Sequence, residues 1–301
     1  MHGNHNYYLI HSDFSRVGYD VPFDAEQRSH AGSVSDNVGL NWRPGKGWLL
    51  RANYARGFRA PNVDDMGKLF DSADGHVTVP NPSLRPEYAD NYEVSMARHF
   101  GSWLKLDATA YYTHLTDAIV RRDYTFNGGP TMMYQGEECI VQALQNAAMA
   151  RVWGVQLGAR SHFARYFYAD AHYNWQRGVE ELDNGSISSL RHAAPSFGRA
   201  AIGYRDTRWC VEAYTAFQRH RNADMMPEEE KEKTEIYALD AQGRTYSPAW
   251  AILNVRASYA VAHRLQVNTS LENVTDVRYR PYSSGISAPG RNFTLGLTYS
   301  L

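Results

Sequence analysis

Two side chains in one polar stretch of the sequence have the chemistry of a binding site, His76 and Arg59. An imidazole nitrogen can bind a metal ion, and His76 lies between the segments 58–61 and 81–84. Arg59 supplies a fixed cation, with Asp64 and Asp65 close behind it. Each has a plainer alternative. Because the chain contains 12 histidines, the interval between these two segments holds about one histidine by chance. Arg59 is better explained by an ion pair that positions the connection following it.

The sequence offers little for other chemistry. The run Glu228–Glu235 (EEEKEKTE) favours a solvated face or a short helix over a cation site. No G-x-S-x-G elbow or comparable Ser/His cluster is present, so we expect no enzyme and no catalytic residue. Two cysteines are too few for a disulfide framework or a four-thiolate zinc site. We therefore expect no permanently bound cofactor.

Composition narrows the class of protein further. The 301 residues include 31 Lys and Arg against 32 Asp and Glu, a balance that argues against a nucleic-acid partner. No apolar stretch reaches the roughly 18 residues that a transmembrane helix needs. Aromatic residues make up 13%, which is high for a chain with negative mean hydropathy. This combination fits a soluble all-β protein or a transmembrane β-barrel.

Hydrophobicity that alternates with a period of two is the strongest pattern. Near the end of the chain Phe293, Leu295 and Leu297 are apolar, whereas the intervening Thr294 and Gly296 are polar or small. Similar alternation runs through 48–55, 104–112, 153–160, 167–176, 251–261 and 265–272. Since period two is typical of half-buried strands, we predict 11 clear strands from about residue 34 onward. A weaker strand over Asn6–Ser15 would make 12.

The connections between these strands are sorted by length. Short connections at 43–47, 99–102, 162–165, 206–208 and 262–263 alternate with long ones at about 57–88, 123–150, 178–195, 219–249 and 274–289. An outer-membrane barrel has short periplasmic turns and long outer loops, and its strands need about 9–11 residues. The sequence therefore predicts an antiparallel transmembrane β-barrel with aromatic girdles against the membrane lipids. Its inward face would be a wet lumen or a contact surface for a plug.

Five segments resemble, in order, the characteristic boxes of TonB-dependent outer-membrane receptors. They are NYARGFRAPN at 53–62, NPSLRPE at 81–87, NAAMARVWGVQ at 146–156, ENVTDVRY at 272–279, and SG with PGRNF at 284–293. Each box is weak alone, and five in order are specific. The residues that carry the resemblance, which we expect to have structural roles, are Phe58, Arg59, Ala60, Pro61, Asn81, Pro82, Leu84, Glu87, Gly290, Arg291 and Phe293.

The resemblance implies a barrel of about 22 strands around a plug. Residues 1–301 would then be the C-terminal half, with about 11–12 strands. The plug, the TonB box and a signal peptide are absent from this chain and are expected upstream of Met1. The implied function is import of a scarce large ligand, such as an iron–siderophore, haem or cobalamin, driven by the TonB–ExbB–ExbD complex. Haem receptors of this family carry a histidine between the first two boxes, which makes His76 the candidate haem-iron ligand and Arg59 a candidate ligand contact.

The resemblance also implies further partners. They are the assembly machinery of the outer membrane, which would recognise the last strand although Leu301 is not aromatic, and a surface lipoprotein. Two alternatives stay open, an outer-membrane barrel enzyme and a passive porin, each of about 12 strands. The enzyme would need a catalytic cluster at the rim, and the porin would lack the five boxes.

Overall fold

The computed structural model describes residues 2–11, 26–73, 75–146, 149–182 and 185–300. A short helix, α1 (Val63–Gly67), and two 3₁₀ turns, Ala223–Met225 and Glu228–Glu230, are the helical elements in these ranges. No helix described there is long and apolar enough to cross a membrane. The strands, in chain order, are β1 (His2–His11), β2 (Glu26–Gly45), β3 (Trp48–Arg59), β4 (Phe70–Ala73), β5 (His76–Val79), β6 (Glu87–Phe100), β7 (Leu104–Thr116), β8 (Ile119–Asp123), β9 (Thr131–Tyr134), β10 (Glu137–Asn146), β11 (Met149–Phe163), β12 (Phe167–Glu181), β13 (Ile187–Ser189), β14 (Phe197–Arg205), β15 (Trp209–Gln218), β16 (Ala238–Leu239), β17 (Thr245–Tyr246), β18 (Trp250–Ala262), β19 (Leu265–Glu272) and β20 (Asn292–Tyr299).

One large antiparallel sheet dominates the molecule. Its order is β1, β2, β3, β6, β7, β11, β12, β14, β15, β18, β19 and β20, with the short β13 paired to β12. The all-β prediction and the count of 12 main strands are confirmed. The weaker predicted strand corresponds to β1, which ends at His11, and the rest of that prediction, through Ser15, lies outside the described residues. Within the described ranges, no pairing joins β1 to β20.

The connections follow the predicted sorting. Short turns at 46–47, 101–103, 164–166, 206–208 and 263–264 lie at one end of the sheet, and the long connections lie at the other. At four of these five turns the preceding strand runs one to three residues further than predicted, and the turn at 206–208 has the predicted bounds. The first predicted turn spans 43–47, yet β2 continues to Gly45, because Gly45, Lys46 and Gly47 all adopt positive φ (94°, 49° and 78°). That backbone conformation closes a two-residue hairpin without splaying the strands.

The two faces of the sheet differ as the alternation predicts. Val38, Leu40 and Trp42 on β2 are 69%, 67% and 58% exposed, and Leu295 and Leu297 on β20 are 65% and 73% exposed. Exposed apolar residues in such numbers would favour aggregation in water. They suit the lipid-facing side of a membrane-spanning sheet.

The compact apolar core lies outside the main sheet, in the long connections. Strands β4, β5, β10 and β8 form a second sheet in that order, and β9 also pairs with β10; we call these five strands the loop sheet. Val77, Val79 and Val141 are almost completely buried there, against Phe126 and Cys139. A membrane sheet faces lipid on one side and water on the other, so the outer loops can bury apolar residues only against one another.

The loop sheet is a difference from the sequence-based expectation, which treated 57–88 and 123–150 as connections. Its strands β4, β5, β8 and β9 have only 4 or 5 residues each. Segments so short give little periodicity to detect. Strand β5 also pairs in parallel with β10, and that pairing joins residues more than 60 positions apart.

Candidate ligand-binding site at the outer rim

Arg59 is the last residue of β3, opposite Glu87, the first residue of β6. Its Nε donates a hydrogen bond to Glu87 Oε1 at 2.6 Å, and its Nη1 donates to Asp65 Oδ2 at 2.7 Å. Asp64 is not part of this pair and instead contacts Lys68 at 3.0 Å. Arg59 therefore lies at the centre of an ion-pair network at the rim, the arrangement that the sequence favours for it. Contact between Arg59 and a ligand stays a prediction.

The first motif also starts the helix that holds Asp65 in place. Asn62 Oδ1 accepts a hydrogen bond from the Asp65 amide at 2.8 Å, and Asp65 Oδ2 accepts one from the Asn62 amide at 3.0 Å. Such a capping box satisfies two backbone donors that a helix start leaves unpaired. Pro61 is fully buried at the entry to this turn. The motif is therefore a built structural unit of the rim.

The remaining residues of the first two boxes pack around that unit. Leu84 and Met66 are buried together, with Ile119 and Leu144 against them. Phe58 lies beside Tyr88, with ring centroids 6.5 Å apart, and Ala60 and Pro82 are half-buried.

Asn81 and Asn146 fasten the loop sheet to the rim. Asn81 Nδ2 donates to the Leu144 carbonyl at 2.7 Å. Asn146 Oδ1 accepts from the Arg85 amide at 2.8 Å, and its Nδ2 donates to the carbonyls of Arg85 and Asp117 at 2.9 and 2.7 Å. We call Arg59, Asp65, Asn81, Glu87 and Asn146 the rim clamp.

Asn146 was not among the predicted site residues. The sequence does give one indication of its role, because Asn146 is the first residue of the third box. Glu87 adds a further connection, because its Oε2 accepts from the Ile119 amide at 2.8 Å at the start of β8. The clamp thus joins two loops that are far apart in sequence.

His76 is the first residue of β5 and lies in the loop sheet. Its position is opposite Ala73 of β4 and Ile140 of β10, and the adjacent Gly75 carbonyl accepts from the Ile140 amide at 2.8 Å. The imidazole is half-buried, whereas Val77 is completely buried. His76 is therefore fixed on a strand. Among the described residues no group of three or more His, Cys, Asp or Glu could hold a metal ion, so a metal at His76 would need ligands from elsewhere.

The fourth box closes on itself through Asn273. The Asn273 amide donates to Asn254 Oδ1 at 2.9 Å, and both asparagines are buried. Asn273 Oδ1 accepts from the Val277 amide at 2.9 Å, and its Nδ2 donates to the Val277 carbonyl at 2.9 Å. These bonds hold the chain as it leaves β19.

The last box docks on the fourth. Asp276 Oδ1 accepts from the Arg291 amide at 2.8 Å, and Arg291 Nε donates to the Val274 carbonyl at 3.0 Å. A Cβ on Gly290 would lie 2.7 Å from Asp276 Oδ1, so any larger residue there would displace the carboxylate that accepts from the Arg291 amide. Phe293 follows on the lipid-facing side and is 65% exposed. Gly290 and Arg291 therefore have structural contacts.

The sequence predicts a solvated face or a short helix for the charge run. A short 3₁₀ turn, Glu228–Glu230, is present, but Glu230 itself is not solvated. Its side chain is completely buried, with Oε1 2.6 Å from Arg191 Nε. Lys233 Nζ donates to Oε1 at 2.7 Å, and the Tyr237 hydroxyl donates to Oε2 at 2.6 Å. Burial alone raises the pKa of Glu230, but the bonds from Lys233 and Tyr237 and the charge of Arg191 outweigh it, so that the pKa is lowered. Burial and the Glu230 carboxylate raise the pKa of Tyr237.

Arg221 connects three outer loops near Glu230. Its guanidinium donates to the Ala193 carbonyl and, at 3.2 Å, to the Tyr282 hydroxyl, and it lies 4.7 Å from the centroid of the Tyr282 ring. Burial lowers the pKa of Arg221 despite these contacts. Arg221 therefore holds together the outer loops 185–196, 219–249 and 273–291.

Below the loops, the inward face of the sheet carries an ionic network. Glu212 on β15 is buried, and it accepts hydrogen bonds from the Tyr168 hydroxyl at 2.8 Å and from Arg199. Arg256 Nη2 lies 2.9 Å from Glu212, and Arg199 also approaches Asp170 at 3.7 Å. This arrangement agrees with the polar inward face that alternation predicts.

A family model described as "TonB dependent receptor-like, beta-barrel" matches residues 8–274. The chain belongs to this family. Family membership confirms the resemblance and the fold class. It also places the chain in the outer membrane of Gram-negative bacteria. The family consists of receptors and transporters.

Curated relatives are distant but cover most of the chain. "Hemoglobin-haptoglobin utilization protein B" of Neisseria meningitidis serogroup A is 22% identical over 280 residues, 88% of this chain and 34% of the relative. "Heme/hemopexin utilization protein C" of Haemophilus influenzae is 26% identical over 289 residues, 89% of this chain and 37% of the relative. The chain thus spans about a third of the length of these relatives.

Solved structures share the fold. A crystal structure of the ferric enterobactin receptor from Pseudomonas aeruginosa aligns with a TM-score of 0.71 and 14% identity, over 92% of this chain and 42% of that one. The copper transporter OprC aligns with a TM-score of 0.67 and 16% identity, over 92% of this chain and 40% of that one.

Proposed function

We propose that this TonB-dependent receptor chain takes part in active transport of a scarce, iron-containing ligand across the outer membrane. The observation that carries the proposal is the rim clamp, which fixes the loop sheet and its half-buried His76 above a polar inward face. A receptor gains affinity when its binding loops are ordered in advance, because less conformational entropy is lost on binding. The names of relatives and structural neighbours, which refer to haem and ferric enterobactin, support an iron-containing ligand.

Haem is the ligand that we propose first. Relatives with 84–89% coverage of this chain are named for haem and hemopexin. His76 would be one ligand of the haem iron, with neutral imidazole nitrogen as the donor, and a second ligand would come from outside the described residues. The haem would be cargo, with no permanent cofactor. Arg59, already paired with Glu87 and Asp65, would position the loop.

The domain assignment is also a proposal. Residues 1–301 would form the C-terminal half of a barrel of about 22 strands, which the plug would couple to the TonB–ExbB–ExbD complex. A surface lipoprotein and the outer-membrane assembly machinery are further proposed partners. Determination of the genomic sequence upstream of Met1 tests this assignment. Codons for a plug in frame would support it, and a stop codon behind an unrelated gene would overturn it.

Titration of the purified receptor with haemin tests the ligand. We expect a shifted Soret band on binding and its loss in His76→Ala. The matched control is His192→Ala, which removes another outer-loop histidine with an exposed side chain. An unchanged Soret shift in His76→Ala would exclude iron ligation by His76. If the receptor binds a ferric siderophore tightly and does not bind haemin, the cargo is a siderophore and the proposal of haem is wrong.

A further inference from the structure

A row of polar side chains crosses the outer end of the main sheet on its lipid-facing side. The register places Arg56 of β3 opposite Asp90 of β6, Asp90 opposite His114 of β7, and His114 opposite Arg151 of β11. Arg177 lies on β12, two residues along from the position opposite Arg151. Side chains at every second position of a strand share one face, so these five project with the exposed apolar residues. We call them the outer-rim row.

An aromatic row lies immediately below Arg56, Asp90, His114 and Arg151, two residues closer to the centre of the membrane. Arg177 is opposite Trp153, the member of this row on β11. Tyr54, Tyr92, Tyr112 and Trp153 are opposite one another on β3, β6, β7 and β11. The ring centroids of Tyr54 and Tyr92 are 5.1 Å apart, and those of Tyr92 and Tyr112 are 6.5 Å apart. Tyr and Trp of membrane barrels collect at the membrane–water interface. The outer-rim row therefore lies at the level of the lipid headgroups.

Part of the outer-rim row neutralises itself. Arg56 Nη1 lies 3.5 Å from Asp90 Oδ1, and the Tyr54 hydroxyl donates to the same oxygen at 2.7 Å. These contacts leave the β3–β6 part of the row without an excess of positive charge.

The β11–β12 part of the row is different. Arg151 and Arg177 are both exposed, and among the described residues neither has a carboxylate within ion-pair distance. Glu181 is the last residue of β12, further from the membrane centre than Arg177, and it forms no ion pair with Arg151. The contact of Arg151 Nη2 is with Met149 Sδ, at 2.8 Å. Within the described part of the chain, two neighbouring guanidinium groups thus lack an anionic partner at headgroup level.

We propose that Arg151 and Arg177 bind the phosphate of an anionic lipid headgroup in the outer leaflet. Guanidinium groups match phosphate oxygens in geometry and charge. The apolar surface directly below, with Trp175 and Leu157 exposed by 41% and 47%, would contact the acyl chains. Because this apolar surface can bind acyl chains, the anion that we propose is the phosphate of a lipid and not free inorganic phosphate. The inference goes beyond the proposed transport function and does not depend on which cargo is imported.

Lipid binding to the purified full chain in uncharged detergent tests the proposal. Phosphatidic acid is the probe and phosphatidylcholine the neutral comparison, with bound lipids counted by native mass spectrometry. Because each arginine near an anionic surface contributes about a fivefold gain in affinity, Arg151→Gln with Arg177→Gln should weaken phosphatidic acid binding by about 30-fold. The double lysine variant should retain most of it.

The matched control removes two charges from the inward face, by Arg51→Gln with Arg160→Gln, and should bind phosphatidic acid like the unmodified chain. Circular dichroism verifies that every variant keeps its strand content. Each of three results would overturn the proposal. They are phosphatidylcholine binding as tight as that of phosphatidic acid, the same loss of binding in the two double glutamine variants, and displacement of the lipid by inorganic phosphate at equal concentration.

Discussion

Replacement of Glu230 by glutamine should loosen the outer loop 219–249 while the main sheet stays folded. The carboxylate is completely buried and is contacted by Arg191, Lys233 and Tyr237 at 2.6–2.7 Å. Glutamine keeps the shape of the side chain but removes its charge, so two cations lose their counterion. Breaking a buried ion pair in this way costs about 3–5 kcal/mol.

Solvent reduces that figure. The side chains of Arg191 and Lys233 are 39% and 29% exposed, so water partly compensates them, and we expect a cost near the lower limit of about 3 kcal/mol. A loss of this size lowers the equilibrium constant for loop closure by about 100-fold. Hydrogen–deuterium exchange of the purified full chain at neutral pH measures it directly, because exchange from locally open states follows the local free energy of opening.

Glu228→Gln is the matched control in the same charge run. Glu228 is 59% exposed, and its carboxylate accepts from Lys231 Nζ at 2.6 Å. An exposed pair of this kind contributes up to about 1 kcal/mol, so exchange should rise by less than about fivefold. Peptides from β19 supply an internal reference that neither variant should change. If Glu230→Gln and Glu228→Gln accelerate exchange equally, the buried carboxylate does not hold the loop, and the reasoning is wrong.

Two further predictions concern the outer loops. Asn146→Ala removes three hydrogen bonds to Arg85 and Asp117, which contribute about 1 kcal/mol each. Amide hydrogen exchange at residues 76–79 and 137–146 should therefore become about 100-fold faster. Unchanged exchange at these residues would contradict the proposed role of the rim clamp. The pKa of Glu230 is lowered in the folded chain, so its stabilisation is complete above the unfolded value of about 4.5 and is lost as pH falls through the folded value. Protection of 219–249, corrected for intrinsic exchange, should therefore be level from pH 7 to about 5 and decline below that, and a decline between pH 7 and 6 would contradict it.

The rim was predictable in part. Its boxes identify Arg59, Asn81 and Glu87 in the sequence, and the ion pair expected for Arg59 exists. The correct partner was less predictable, because Asp64 and Asp65 are equally close in sequence and only the capping box at Asn62 selects Asp65. The buried state of Glu230 was not predictable from a run of charges, since its cationic partner Arg191 comes from another loop.

The sequence by itself determined the main sheet of this protein. Side-chain alternation and connection length are local properties, so they specify which residues face lipid, which connections are short turns and how the strands follow one another. The tertiary structure alone decided the outer loops. Three features of these loops join segments that are far apart in the chain. They are the parallel pairing of β5 with β10, the hydrogen bonds of Asn146, and the contacts of the buried Glu230 and Arg221 with residues of other loops. Their stability comes from mutual burial and paired charges, which exist only after the sheet has brought those loops to one end.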